Sequence, residues 1–100
     1  MKPVVFHQDA EAELDAAMAY YESQRSGLGL DLQTDIARTI ERIRQHPQLF
    51  PRHNEGKLRK SPVRRFPYAI FYLELEEHIW IAAVAHQGRR PGYWAYRAPE

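Results

Sequence analysis

The stretch Arg64-Arg-Phe-Pro-Tyr-Ala-Ile-Phe-Tyr-Leu-Glu-Leu-Glu-Glu-His-Ile-Trp-Ile-Ala-Ala-Val-Ala-His86 decides the fold. Two runs of aromatic, aliphatic and β-branched residues flank the short polar gap Glu76-Glu77-His78, which is the pattern of a β-hairpin. Both runs are almost continuously apolar, so they predict central strands covered on both faces. No other segment is apolar for as long, and the core is expected to form on this hairpin. Arg64 and Arg65 enter it, and His86, Arg89 and Arg90 follow it.

Upstream, residues 3–7 read as a short first strand. Asp9 is a candidate helix N-cap, with Glu11 and Glu13 in the first turn, where the helix dipole favours acids. Ala10, Leu14, Ala17, Met18 and Tyr21 recur at helical spacing and predict one amphipathic helix; Glu11, Asp15 and Glu22 lie on its other face. Gly27 and Gly29 mark a turn. A second helix is expected over 30–45, with Leu32, Ile36, Ile40 and Ile43 as its buried stripe, Ala37 beside them, and Arg38, Glu41 and Arg42 on other faces. His46-Pro47 ends it, because a residue before proline disfavours helix.

A proline-containing loop over 47–56 leads to a polar edge strand over 57–61, with Pro62 as a break or bulge. The hairpin strands are expected over 65–75 and 79–86. The tail after them has no helical period, and Tyr93, Trp94 and Tyr96 should pack it back on the domain. The order strand, helix, helix, three strands predicts a single α+β domain over residues 1–100: an N-terminal strand, then a helical hairpin packed on a twisted antiparallel sheet.

Composition narrows the function. The chain has 100 residues, no cysteine and a formal net charge of +1. Without cysteine there is neither a disulfide framework nor a thiolate metal site, which fits a reducing cytoplasm. No apolar run approaches the ~20 residues of a membrane helix, and the N-terminus is too weakly apolar for a signal peptide. The charge is uneven: residues 1–50 carry a net −3 and residues 51–100 a net +4. Lys57, Arg59, Lys60, Arg64 and Arg65 form a basic segment with no intervening acid. Such a segment suits phosphate or an acidic protein segment, or else keeps an edge strand soluble.

Among titratable groups His86 stands out. Beside arginines it could move a proton during RNA cleavage while a guanidinium holds phosphate charge. The plainer reading is a histidine that closes the strand by a hydrogen bond to a loop carbonyl. Arg64, Arg65, Arg89, Arg90 and Arg97 converge if the tail folds back, and they serve either anion binding or ion pairing with nearby acids. Tyr93 and Trp94 either stack on bases or cover the core. Glu11, Glu13 and Asp15 lie too near a first helical turn to suggest a catalytic carboxylate pair. The five histidines are scattered, so no metal site and no cofactor are expected.

Taken together, several short patterns resemble the RelE/ParE superfamily of type II toxin-antitoxin toxins, and its ParE-like branch in particular. They are Glu13-Leu14, Ala17 with Tyr20-Tyr21-Glu22, Gly27-Leu28-Gly29, His46-Pro47, Phe50-Pro51, Arg65-Phe-Pro-Tyr-Ala-Ile-Phe-Tyr72, Ala83-Val-Ala-His86 and Arg90-Pro-Gly-Tyr-Trp94 with Arg97. The resemblance covers nearly the whole chain. It implies the β-α-α-β-β-β fold and a cytoplasmic, growth-inhibiting toxin, of the kind linked to plasmid stabilisation, that a cognate antitoxin silences. It also implies contact with operator DNA only through that antitoxin.

The superfamily divides between DNA gyrase inhibitors and ribosome-dependent mRNA endonucleases. Ala69 stands where many of the nucleases carry arginine, no lysine follows Arg65, and the tail has none. The resemblance therefore implies gyrase inhibition by binding, without catalytic residues. Arg65, His86, Arg89, Arg90, Tyr93, Trp94 and Arg97 would form the target-facing edge. The alternatives are an endonuclease acting on ribosome-bound mRNA, using His86, Arg89 and Tyr93, and a member of weak or lost toxicity that only binds antitoxin.

Overall fold

The structure, a computed structural model, describes residues 1–54 and 56–99. The element order is β1 (Val4–Phe6), α1 (Gln8–Gln24), α2 (Leu28–Gln45), β2 (Arg59–Pro62), β3 (Tyr68–Glu74) and β4 (Ile79–His86), with a 3₁₀ turn at Ala95–Arg97. This is the expected α+β order. The sheet runs β1-β4-β3-β2, so the two apolar strands are central. β2, β3 and β4 are antiparallel neighbours, whereas β1 joins β4 in parallel, pairing Val4 with Ile79 and Phe6 with Ile81. The long helical connection after β1 permits this parallel pairing, which a tight hairpin would not.

The two faces of the sheet have different covers. On one, Tyr68, Ile70, Tyr72, Ile79, Ile81 and Val84 pack against Ala10, Ala17, Leu32, Ile36 and Ile43 of the helical hairpin. On the other, Ala69, Phe71, Ala82, Ala83 and Ala85 lie under Leu58 and Trp94. Strict alternation along β4 would put Ala83 with Ile79 and Ile81. A β-bulge prevents this: Phe71 pairs with Ala83 but Tyr72 with Ile81, so Ala82 is extra. The side-chain phase shifts by one, and Val84 joins the helix face.

Several local expectations change. His7, not Asp9, caps α1, its Nδ1 accepting from Asp9 N at 2.9 Å. Gly27, at φ 89°, makes the turn alone, while Gly29 is buried inside α2. A Cβ on Gly29 would lie 2.6 Å from the Met18 carbonyl, so glycine lets the two helices approach there. The Glu22 carboxylate accepts from Gly27 N and Gly29 N at 2.9 and 3.0 Å, closing the start of α2. Ala37 is exposed, and its expected place in the buried face goes to Asp35 and Thr39. Pro62 does not break the edge strand; it is the last residue of β2, opposite Ala69.

Candidate functional site

β1 has three residues and β4 has eight, so the outer edge of β4 runs on past its partner. Unpaired strand edges must find other partners, and side chains supply them here. Arg97 Nη1 donates to Ala82 O at 3.1 Å, and Glu13 Oε1 accepts from Val84 N at 3.0 Å. The two side chains also pair with each other at 3.0 Å, with relative exposures of only 7% and 14%. Tyr93 donates its hydroxyl to Glu13 Oε2 at 2.8 Å, and Trp80 Nε1 donates to Arg97 O at 2.9 Å. The tail is thereby locked onto α1 and β4.

The electrostatics follow from this wiring. Burial, reinforced by the bond to Glu13, pushes the Tyr93 phenol up to about 12. Burial opposes the charge of Arg97, but its bonds to Tyr96 and Glu13 outweigh that and raise it above its ordinary value.

The expected target-facing residues separate into three groups. Tyr93, Trp94 and Arg97 belong to the tail lock: Trp94 is 6% exposed and stacks on Phe71 with centroids 4.0 Å apart. His86 and Arg89 lie beside it. His86 Nδ1 accepts from Gly88 N at 2.9 Å, and its ring meets the edge of Tyr68 at 5.1 Å. The ring thus closes the strand by accepting from a loop N–H, not by the expected bond to a loop carbonyl. Arg89 lies over the Tyr93 ring at 4.3 Å. Arg90 is exposed in the same turn. Arg65 is elsewhere, in a cleft between α2 and the β2–β3 turn, so one continuous edge of the seven residues does not form.

Two concavities flank His86. One, of about 360 Å³, lies between α1 and the β4 edge and is lined by Ala12, Ala16, Tyr20, Val84, His86 and Arg89 among others. The second, of about 220 Å³, lies on the opposite face of the sheet and gathers His53, Lys60, His86 and Arg89 around Ala69, Phe71 and Trp94. His53 was not expected at a site; Lys60, expected only as part of the basic segment, is placed there by the register that pairs it with Phe71. Among the described residues no group of three His, Asp or Glu side chains is placed to hold a metal ion, and no helix is long and apolar enough to cross a membrane.

Glu13 was set aside in the sequence and proves central. The available signal was its position: it is three residues after Ala10 and four before Ala17, on the buried stripe itself. An acid on that stripe requires a partner.

No curated protein sequence matches the chain. The fold is similar to a chain of a solved structure described as the chromosomal ParDE TA system from P. aeruginosa, with a TM-score of 0.76 and 18% identity, covering 86% of this chain and 96% of that one. A family model described as the ParE toxin of type II toxin-antitoxin system, parDE, matches residues 4–91. The chain belongs to the ParE toxin family of type II toxin-antitoxin systems.

Proposed function

We propose that the chain is the toxin of a type II pair that stops growth by binding an essential target, DNA gyrase, without catalysis, and that a cognate antitoxin neutralises it in the cytoplasm. The observation that carries the non-catalytic reading is the commitment of the candidate chemical groups. Tyr93 is bonded to Glu13 with its proton held more tightly than usual, and the His86 Nδ1 lone pair accepts from Gly88 N. A general base needs a lone pair aimed at substrate, and a general acid needs a proton it releases near neutral pH. The exposed Arg89 and Arg90, with the neighbouring concavities, offer contact surface instead. Contact with operator DNA through the antitoxin belongs to the same reading.

A second reading has one observation in its favour. His53, Lys60, His86 and Arg89 share the 220 Å³ cleft, which is a chemically competent set for RNA cleavage. Inducing the chain alone in bacteria separates the two readings. Growth arrest with DNA-damage signalling and intact messages is expected. New cuts in translated messages, lost in His86→Ala, would replace binding with endonuclease activity. Undisturbed growth would leave only antitoxin binding.

A further inference from the structure

Away from β4 and the tail, a cleft of about 360 Å³ is lined by Asp35, Arg38, Thr39, Arg42, Arg64 and Arg65. Arg38 and Arg42 stand one turn apart on α2, and Arg64 and Arg65 face them from the β2–β3 turn. Arg38, Arg64 and Arg65 are exposed and Arg42 is half-buried. Among the described residues none of the four makes an ion pair. The single carboxylate in the cleft belongs to Asp35, which is 4% exposed and accepts from the Arg65 backbone N–H at 2.9 Å. That bond fixes the turn on the helix and so holds the two arginine rows face to face.

We infer that this cleft is a docking site for a short acidic protein segment, its carboxylates held by the four guanidinium groups. Charge complementarity selects an anion, and the planar paired donors of arginine match carboxylate geometry. The limited extent of the basic surface selects a short peptide over a nucleic acid. On α2 Arg44 is neutralised by Glu41 at 3.3 Å, and Arg25, which caps the end of α1, is paired with Asp31 at 3.9 Å. A duplex needs a longer run of cations along its backbone and presents a convex surface to them. An extended peptide brings alternate side chains to one face about 6.5 Å apart, close to the rise of about 6 Å between Arg38 and Arg42 on the helix. The inference is independent of the cellular target proposed above, since this cleft shares no lining residue with the concavities beside His86.

The test uses the full chain and a fluorescent poly-glutamate peptide, with a DNA duplex of equal net charge as competitor. The peptide should bind with an affinity that falls as salt rises. Arg38→Gln with Arg42→Gln should weaken it by about ten-fold or more, whereas Lys57→Gln, outside the cleft, should leave it unchanged. Asp35→Asn keeps an acceptor for Arg65 N while removing the negative charge, so it should tighten binding. A purely structural Asp35 would not produce that gain. Wild-type affinity in a folded Arg38/Arg42 double variant would overturn the proposal, and so would stronger binding of the duplex than of the peptide. The double variant decides the matter even where Asp35→Asn fails to fold.

Discussion

Arg97 and the four arginines of the α2 cleft carry the same charge in opposite circumstances. Arg97 is nearly buried, bonded to Glu13, the Ala82 carbonyl and Tyr96, and sits where a strand edge would otherwise be unsatisfied. Arg38, Arg42, Arg64 and Arg65 surround open space, and among the described residues none has an ion-pair partner. Arginine content therefore does not locate a binding surface. The charges already satisfied internally maintain the fold, and the charges left without partners are available to another molecule. The residues adjoining the tail lock that remain available are Arg89 and Arg90.

The largest effect separating the two regions is expected at Glu13. Glu13→Ala leaves the nearly buried Arg97 without its counter-charge and the Val84 N–H without its acceptor, and should cost about 3–5 kcal/mol, as measured by urea unfolding. A loss under about 1 kcal/mol would place Arg97 with the surface arginines and dissolve the contrast.

Alkaline pH gives the next effect. Burial raises the phenols of Tyr93 and Tyr72 from 10.0 to about 12. A raised phenol favours the protonated folded state, so this stability is complete below pH 10.0 and is lost as pH rises through about 12. Unfolding free energy should fall across that window, and Tyr93→Phe should flatten the fall while Tyr72 keeps part of it. The Arg38→Gln/Arg42→Gln variant should retain the full slope, because neither arginine touches these phenols. An unchanged slope in Tyr93→Phe would detach Tyr93 from the lock.

The smallest effect belongs to the open cleft itself. Arg38→Gln with Arg42→Gln should change stability by no more than about 0.5 kcal/mol in thermal or urea unfolding, or raise it slightly by relieving like-charge repulsion. A loss of several kcal/mol would mean that these arginines are structural too.

The architecture was largely legible because periodicity reports burial. The apolar runs around Ile70 and Ile81 became the central strands, and Leu32, Ile36 and Ile43 became the buried stripe of α2. The direction of β1 was not legible, since alternation does not distinguish parallel from antiparallel pairing. The bulge at Ala82 was hidden for a related reason: in the run Ala82-Ala83 either phase is apolar.

The site was less legible. Glu13 was read as a first-turn acid and Asp35 did not stand out, because their partners Arg97 and the Arg65 amide lie 84 and 30 residues away in sequence. Arg65 and Arg89 read as companions because both flank the hairpin. The fold sends them to different clefts.

Supercoiling of relaxed plasmid by purified DNA gyrase, with the purified chain added, tests the central proposal most directly. Inhibition that grows with toxin concentration is expected, and it should weaken in a folded Arg89→Ala/Arg90→Ala variant, which loses the exposed charges of the proposed contact surface. Full gyrase activity in the presence of excess folded chain would contradict the proposal.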